Sequence, residues 1–234
     1  MNSETARRLT EGVTWVWLDL DDTLVDFGGT ASAALRDLYD TEVIGSLYPS
    51  AEEWEEAYVS WNHHLWDLYA KGEITQDYLR LDRFAHPLRA VWRGTEEELT
   101  AYARALDPLY LGRLAENTRL LPGAMELMEA VRAAGMRTGI LSNGFRSVQY
   151  EKLRRTGLDK VVDLVVLSDD IGVNKPDVRL YRHAMEQSGE PRAEAHLMVG
   201  DNPSTDIAGA LNAGWRAILV DPSAEGSGVT ITPD

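Results

Sequence analysis

Cysteine is absent from the 234 residues, so the chain can form neither a disulfide nor a thiolate metal site. This composition is compatible with a reducing compartment. Long apolar runs are missing too, since none approaches the length needed to cross a membrane. The polar segment at residues 1–12 lacks the apolar core of a signal peptide. We therefore expect a cytoplasmic protein that does not contact membranes.

Positive charge is scarce. The chain has 23 lysine and arginine residues against 38 aspartate and glutamate residues, which makes a formal net charge of −15. This acidic balance argues against non-specific binding to nucleic acid polymers or to anionic membrane surfaces, which a basic patch would serve. If the substrate is an anion, positive charge has to be concentrated at the site. The length suits one large or two smaller domains with a sizeable core.

Five short apolar runs alternate with helical patterns along the chain. Strands separated by helices are typical of an α/β fold with a parallel, doubly wound sheet, a Rossmann-like architecture. The predicted strands cover residues 13–18, 136–141, 161–167, 195–199 and 215–220. The predicted apolar helix faces consist of Leu127, Met128 and Val131, of Leu180, Tyr181, Ala184 and Met185, and of Ile207 and Leu211.

A different pattern fills residues 28–119, where no convincing strand occurs. Apolar residues there step by three and four, the spacing of a helical seam. The longest such series is Trp54, Tyr58, Trp61, Leu65 and Leu68. The sequence thus predicts an all-α helical bundle, residues 26–117, inserted into a core of residues 1–25 and 118–234. Residues 222–234 are rich in glycine, serine and proline, so we expect a loosely held tail.

Two carboxylates follow the first predicted strand, in the stretch Asp-Leu-Asp-Asp-Thr-Leu at residues 19–24. Residues i and i+2 of an extended chain point to the same side. Asp19 and Asp21 therefore lie side by side at the carboxyl end of the strand, where open α/β sheets bind ligands. Like charges this close need a cation or a shared proton, which predicts a metal site, an acid/base pair or both. The alternative is a turn or helix cap built from Asp22 and Thr23.

The second and third strand ends carry groups that suit an anion. Ser142 and the N–H groups of the turn Ser142-Asn143-Gly144 can bind one, although Ser-Asn-Gly is more often only a turn. Lys175 precedes Pro176, which disfavours helical geometry at the lysine. A lysine is a compact charge suited to phosphate or to shielding carboxylates. In isolation it would more often be a surface residue.

The fourth strand ends in another carboxylate, Asp201, after Gly200. Asp206 follows early in the next helix, where it could merely favour the helix dipole, or hold Lys175 or a metal-bound water. Carboxylates are suitable ligands for Mg²⁺. Together, the three strand-end carboxylates would bind a hard cation, and the serine and lysine would bind an anion beside it. This arrangement is suited to handling a phosphoryl group.

These motifs, in this order, resemble the four motifs of the haloacid dehalogenase superfamily. They are the Asp-Leu-Asp-Asp-Thr-Leu stretch, Ser142-Asn143-Gly144, Lys175-Pro176, and Gly200-Asp201 through Asp206. The inserted bundle resembles the C1 cap of that superfamily. Within it, residues 61–66, 71–75 and 83–84 are similar to the caps of the pyrimidine 5′-nucleotidase branch. The resemblance implies a Rossmann-like catalytic core with a helical cap.

The resemblance also implies a Mg²⁺-dependent phosphatase mechanism. Asp19 would be the nucleophile that forms an aspartyl-phosphate, and Asp21 would protonate the leaving alcohol and then activate water. Mg²⁺ would be held by Asp19, by the backbone carbonyl of Asp21 and by Asp201. The phosphoryl oxygens would be held by Ser142, the Asn143 N–H and the catalytic Lys175, with Thr23 and Asp206 in support.

Asp21 also discriminates within the superfamily, because the dehalogenases do not keep an aspartate at this position. We expect a phosphomonoesterase for a small phosphorylated metabolite, namely a nucleoside 5′-monophosphate with a pyrimidine base. The alternatives are a phosphatase of a sugar or small organic phosphate such as phosphoglycolate, a haloacid dehalogenase, a receiver-like module that only holds an acyl phosphate, and a catalytically silent scaffold. The chain is expected to be a monomer or a homodimer.

Two phenylalanines are the preferred candidates for contacting the leaving group: Phe27 after the first motif and Phe145 after the second. In the cap, the candidate substrate residues are Trp61, Asn62, His63, His64, Trp66 and Arg83. Trp61 also fits the helical seam, which favours a core role. Because adjacent helical residues face different directions, at least one of the two histidines should face solvent.

Overall fold

The computed structural model describes residues 10–221 and 229–230. The chain divides into two compact units, one of Met1–Phe27 with Thr118–Asp234 and the other of Gly28–Asn117. Most of the polar segment 1–12 and of the predicted tail at 222–234 lies outside the described residues. Within those residues, no helix combines the length and apolar character that a membrane span requires.

The first unit is built on a six-stranded sheet with the order β3-β2-β1-β4-β5-β6. Strands β1 to β5 are parallel, and β6 pairs antiparallel with β5. The strands are β1 Trp15–Leu18, β2 Arg137–Ser142, β3 Leu164–Leu167, β4 His196–Gly200, β5 Arg216–Val220 and β6 Val229–Thr230. The predicted doubly wound parallel sheet is confirmed. β6 was not predicted, because a strand of two residues is too short to show a periodic pattern.

The α-helices of the described residues fall in both units. They are α1 Phe27–Thr41, α2 Ile44–Leu47, α3 Ala51–Ala70, α4 Gln76–Arg89, α5 Glu96–Asn117, α6 Ala124–Ala133, α7 Arg146–Thr156, α8 Val178–Ser188 and α9 Ala208–Asn212. A π-helical turn, Pro203–Ile207, leads directly into α9.

β1 lies in the middle of the sheet, and all four of its residues are buried. Val16 and Leu18 pack in the apolar cluster on one face, and Trp15 and Trp17 pack in the cluster on the other. Gly139, the partner of Trp17 on β2, leaves room for the indole ring, which a Cβ at that position would overlap. Burial on both faces explains why this strand is continuously apolar instead of alternating.

Helices of the first unit cover both faces of the sheet. Met128 and Val131 on α6 join the cluster around Val16, and Leu180 and Tyr181 on α8 join the opposite cluster. The helices thereby exclude water from both sides of β1, and its carboxyl end is left as the place where polar side chains can gather.

Two residues of the predicted apolar faces are exposed instead, Leu127 by 37 % and Leu211 by 49 %. Leu127 precedes the buried Met128, and adjacent helical positions diverge by about 100°. Leu211 lies near the end of the short α9, which packs through Gly209. A Cβ on Gly209 would overlap the side chain of Tyr181, so the buried face of α9 is the one on which the Gly209 backbone contacts Tyr181.

The second unit, residues 28–117, contains helices and no strand. The helical seam predicted on α3 is buried at Trp54, Tyr58 and Leu65, and α4 contributes Phe84 and Leu88 to the interior. Side chains at i, i+3 and i+4 share one helix face, so the observed burial follows the spacing in the sequence.

A buried ionic cluster joins α4 and α5 in this unit. Arg83 and Asp107 are 3 % and 5 % exposed and form a salt bridge. Arg80 donates to Oδ2 of the same carboxylate from Nε at 2.8 Å and from Nη2 at 2.5 Å. The Arg83 guanidinium also lies over the rings of Phe84 and Tyr110, at 5.3 and 5.1 Å. Arg83 is therefore engaged in packing the insert.

Candidate active site

The chain turns sharply directly after β1. The Val25 N–H donates to the Leu20 carbonyl at 2.9 Å, and the Asp22 N–H donates to the Val25 carbonyl at 2.8 Å. Asp22 has a φ of 56°, in the left-handed region that aspartate tolerates better than most residues. The turn leaves Asp19 and Asp21 at the carboxyl end of the central strand, and Asp22 serves the turn itself.

Lys175 is the centre of the polar cluster at this edge of the sheet. The residue is 2 % exposed. Its Nζ donates to Oδ1 of Asp19 at 2.7 Å, to Oδ1 of Asp206 at 2.6 Å and to the Leu141 carbonyl at 2.9 Å. These acceptors use all three donors of the ammonium group. The burial excludes the alternative of a surface lysine, and the partners explain how the charge is tolerated.

Asn143 holds the backbone of Lys175. Its Nδ2 donates to the Lys175 carbonyl at 3.0 Å, and its Oδ1 accepts from the Lys175 N–H at 2.7 Å. The reciprocal pair joins the end of β2 to the segment that carries the lysine, whose peptide bond to Pro176 is cis. The Asn143 side chain thus has a structural role, and the predicted ligand contact is the one through its backbone N–H.

Three carboxylates, those of Asp19, Asp201 and Asp206, each bring one oxygen within 4.8 Å of the others. Thr23 Oγ1 donates to Oδ1 of Asp201 at 2.9 Å. Gly200 is required beside them, because a Cβ there would overlap the Asp206 carboxyl group. An all-oxygen donor set is the kind that Mg²⁺ prefers. Asp206, predicted only in a supporting role, belongs to this cluster, whereas the Asp21 carboxylate does not.

The Asp21 carboxylate has its own partners, on α7. Lys152 Nζ donates to Oδ1 at 2.5 Å, and Gln149 Nε2 donates to Oδ2 at 2.8 Å. The same Nε2 donates to Ser142 Oγ at 2.7 Å. Lys152 and Gln149 are 3 % and 1 % exposed. Our reading of the sequence missed both residues; their only signal is a spacing of three on the helix after Ser142, which places them on one face.

The cluster carries more negative than positive charge, because four carboxylates face two buried lysines. Burial raises the pKa of Asp19 to about 8, against the opposing effect of Lys175 and with added repulsion from Asp206 and Asp21. Burial likewise raises the pKa of Asp201. A divalent cation would supply the missing positive charge and favour the ionised carboxylates.

A cavity of about 210 Å³ opens at this edge of the sheet. Its lining consists of Asp19, Asp21, Ser142, Asn143, Lys175, Asp201, Asn202 and Thr205. Phe27 and Phe145 do not line it. Phe145 is 6 % exposed at the start of α7, and the Phe27 ring lies 4.6 Å from Lys152 Nζ. Contact of these rings with a leaving group stays a prediction.

Trp61, a candidate substrate residue of the insert, is engaged within its own unit. Its Nε1 donates to Asp82 Oδ2 at 3.0 Å. Its ring stacks on His86 with centroids 3.5 Å apart and lies 4.9 Å from the ring of His64. Both His63 and His64 are exposed. These contacts favour the packing role that the helical spacing indicated.

The family model for haloacid dehalogenase-like hydrolases matches residues 13–214, which is most of the chain. The chain therefore belongs to the haloacid dehalogenase-like hydrolases and is an enzyme of that family. The resemblance inferred from the four strand-end motifs is confirmed.

Among curated relatives, the chain is 35 % identical over 200 residues to the pyrimidine 5′-nucleotidase YjjG of Escherichia coli, covering 86 % of this chain and 82 % of that protein. It is 31 % identical over 212 residues to the glyceraldehyde 3-phosphate phosphatase of Methanothermobacter thermautotrophicus, covering 88 % and 84 %. Homologues of this chain thus include a nucleotidase and a sugar-phosphate phosphatase.

A solved structure with a similar fold is that of the HAD-hydrolase YfnB from Bacillus subtilis, which was bound to magnesium. The TM-score is 0.79 at 25 % identity, and the match covers 91 % of each chain. The sheet and helices described above therefore form the fold of this hydrolase family.

Proposed function

We propose that this chain is a Mg²⁺-dependent phosphomonoester hydrolase that works through an aspartyl-phosphate. The observation that carries the proposal is the composition of the 210 Å³ cavity, in which carboxylates lie beside Lys175 and Ser142. Carboxylates suit a hard cation, and a lysine with a hydroxyl group suits a phosphoryl anion. Both curated relatives described above have names that specify phosphate-ester substrates, which supports the same reaction class.

The donor set and the excess negative charge of the cluster fit Mg²⁺. Asp19 and Asp201 would each supply a carboxylate oxygen, and Asp21 would supply its backbone carbonyl. When bound, the cation would neutralise charge on the phosphoryl group. Thr23 would orient Asp201 through its hydroxyl group, and Asp206 would hold Lys175 in place.

Asp19 would attack the phosphorus atom with one carboxylate oxygen, so that the bond to the leaving alkoxide breaks as the acyl phosphate forms. Lys175 would orient the nucleophile, because it donates a hydrogen bond to Oδ1 of Asp19 and lines the same cavity. Ser142 Oγ and the Asn143 N–H would bind the phosphoryl oxygens. All of these groups are near the carboxyl ends of parallel strands, which is where such a site is expected.

Asp21 would donate a proton to the leaving alkoxide and then accept one from the water that hydrolyses the acyl phosphate. One carboxyl group within reach of both steps can serve as the acid and then as the base. A haloacid dehalogenase would need no proton donor for a halide leaving group. Asp21 and its two partners on α7 therefore support the phosphatase over the dehalogenase alternative.

For the substrate, we propose a nucleoside 5′-monophosphate with a pyrimidine base, supported by the similarity to YjjG. The 210 Å³ cavity can take a phosphoryl group and a cation, but it is small beside the roughly 300–1,000 Å³ of sites that enclose a whole small molecule. The leaving group would thus lie outside it. The alternative is a sugar or small organic phosphate, which the similarity to the glyceraldehyde 3-phosphate phosphatase favours.

The test is hydrolysis of UMP, dTMP, glyceraldehyde 3-phosphate, phosphoglycolate and a 2-haloacid, each with Mg²⁺ and with a chelator. We expect phosphate release from UMP and dTMP to be fastest and to require the metal. Faster release from the sugar phosphates would overturn the nucleotidase assignment and keep the phosphatase. Phosphate release that survives chelation would contradict the metal dependence, and halide release without phosphate release would contradict the phosphatase.

The remaining expectations about the protein stay predictions. The strongly acidic charge supports a small phosphorylated metabolite as the ligand and argues against nucleic acid polymers and membranes as partners. A monomer or homodimer in the cytoplasm is consistent with the chain, and sedimentation of the purified protein would decide between the two assemblies.

A further inference from the structure

Lysine is rare in this chain, with four residues against nineteen arginines. Two of the four, Lys152 and Lys175, are almost fully buried at the same edge of the sheet. Lys175 belongs to a recognised motif, whereas Lys152 does not. A buried ammonium group is tolerated only with close partners. Those of Lys152 are the Asp21 carboxylate at 2.5 Å and the Phe27 ring at 4.6 Å.

Gln149 connects the same carboxylate to the phosphoryl side of the site. Its amide nitrogen has two protons, and the two acceptors within reach are Asp21 Oδ2 at 2.8 Å and Ser142 Oγ at 2.7 Å. Gly144 makes room for this amide, because a Cβ on Gly144 would overlap it. The glycine after the serine is thus needed for the placement of Gln149 as well as for the turn.

We propose that Lys152 and Gln149 are positioning residues for Asp21 and Ser142. Each Asp21 oxygen accepts one hydrogen bond from α7, so rotation of the carboxylate is restrained while each oxygen keeps capacity for a second partner. Ser142 Oγ accepts from Gln149, so its own proton is directed to another acceptor, namely a phosphoryl oxygen. This inference deepens the proposed function and rests on it.

Gln149 bridges Asp21 and Ser142 and thereby sets the distance between the carboxylate that transfers the proton and the hydroxyl group that binds the phosphoryl oxygens. Reactions of bound groups depend steeply on such alignment, and a shift of about 1 Å can lower the rate by about 10²-fold. A purely structural role would be to anchor α7 to the sheet through a buried ion pair. The two roles differ in their consequences, because loss of an anchor lowers the stability of the protein, whereas loss of positioning lowers the rate of the proton-transfer steps in a protein that is still folded.

The experiment is a double-mutant cycle between Lys152→Met and Asp21→Asn, with kcat and KM measured on UMP and on p-nitrophenyl phosphate in the presence of Mg²⁺. We expect Lys152→Met alone to lower kcat by about 10²-fold with little change in KM. In the Asp21→Asn background the same change should have almost no further effect. Gln149→Leu should also lower kcat, but it should keep part of its effect in the Asp21→Asn background, because Gln149 also donates to Ser142. Lys160→Met, which alters an exposed lysine of the same unit, is the matched control.

A leaving-group comparison provides the second readout. p-Nitrophenolate leaves without a proton, so its burst of phosphoenzyme formation should be nearly unaffected by Lys152→Met, whereas the burst from UMP should be slowed. Equal losses in both backgrounds, or a loss carried by KM, would overturn the positioning role. Thermal unfolding identifies a variant that fails to fold. If Lys152→Met does so, Gln149→Leu decides the question: its loss of kcat should be smaller in the Asp21→Asn background than in the unchanged protein, and an equal loss in both would overturn the positioning role.

The failure of the underlying function has a different signature. If Asp21→Asn alone retains full activity, the acid/base role of Asp21 is wrong whatever Lys152 does. If Asp21→Asn loses activity and both Lys152→Met and Gln149→Leu retain it, only the positioning proposal is wrong.

Discussion

The two units each bury a cluster of charged side chains, and the clusters differ in balance. In the insert, one carboxylate, Asp107, is paired with both Arg80 and Arg83. In the core, one ammonium group, Lys175, is paired with two carboxylates, Asp19 and Asp206. In the first cluster, arginines of the chain pair with the only carboxylate, whereas in the second cluster the carboxylates outnumber the ammonium group.

The pKa shifts follow this difference. Burial lowers the pKa of Arg83, but Tyr58 and Asp107 outweigh it and raise the pKa above its ordinary value, so Arg83 keeps its charge. Burial raises the pKa of Asp19 to about 8, so that the core carboxylate tends to take up a proton. In a buried pair with its partners in place, removal of one partner is destabilising because it leaves an uncompensated charge, while a buried excess of one sign with a perturbed pKa is typical of a site that receives a ligand of the other sign.

The largest expected effect is that of Asp19→Asn on catalysis. An amide cannot form the acyl phosphate, so the rate of UMP hydrolysis should fall by on the order of 10⁴-fold. Phosphate release under saturating substrate measures the effect, and Asp159→Asn, on an exposed residue of the same unit, is the control. A loss smaller than about tenfold would remove Asp19 from the nucleophile role.

A comparable change in the insert should act on stability. Asp107→Ala leaves Arg83 buried without its carboxylate, which should lower the free energy of unfolding by about 3–5 kcal/mol. Urea denaturation measures this loss, and Asp40→Ala, on an exposed residue of the same unit, should change it by less than about 0.5 kcal/mol. Equal effects of the two substitutions would show that the Arg83–Asp107 pair does not stabilise the insert.

The pH dependence of the free energy of unfolding should also differ between the two units. The pKa values of Asp19 and Asp201 in the folded state are raised. Their contribution to stability is therefore present at low pH and is lost as the pH rises, for Asp19 from about 4 to about 8. Mg²⁺ should offset that loss by binding the ionised carboxylates. The increase in Tm on adding Mg²⁺ should thus grow across this pH range.

Thermal unfolding with Mg²⁺ and with a chelator at several pH values measures this prediction. Asp201→Asn should reduce the pH-dependent gain, because it removes one of the proposed ligands. A gain in Tm that is the same at all pH values, or is largest at acid pH, would contradict a metal site built from these carboxylates.

The smallest effects are expected from two helix caps. Thr75 Oγ1 accepts from the Tyr78 N–H at the start of α4, and Asn202 Oδ1 accepts from the Ser204 and Thr205 N–H groups beside the cavity. Replacing either by alanine should lower the free energy of unfolding by about 1 kcal/mol. Only Asn202→Ala should also alter kcat, since Asn202 lines the cavity. If kcat changed in Thr75→Ala and not in Asn202→Ala, the assignment of Asn202 as the cap that affects catalysis would be wrong.

The strands and the helical insert were predictable because their signals are local. Continuous apolar runs indicate strands buried on both faces, and steps of three and four indicate helices. The limit of this reasoning is visible at Leu127 and Leu211, which fit a helical face by spacing but are exposed. Adjacent apolar residues on one turn compete for one buried position, and only the packed neighbours decide between them.

The strand-end residues were predictable for a topological reason. Parallel strands bring their carboxyl ends to one edge, so Asp19, Ser142 and Asp201 had to approach one another once the sheet was inferred. The partners of Asp21 had no such signal. Gln149 and Lys152 lie 128 and 131 residues away from it in the chain and occupy helix positions that resemble any amphipathic surface.

The amino-acid sequence by itself determined the order of strands and helices, the family, and the set of carboxylate, hydroxyl and lysine side chains at the sheet edge, because these depend on local periodicity and on motifs at strand ends. Only the tertiary structure decided which carboxylates bring oxygens within 4.8 Å of one another and which one is held by Lys152 and Gln149. The physical reason is that burial and hydrogen-bond partners are set by residues distant in the chain, and these contacts give otherwise identical aspartates different environments and orientations.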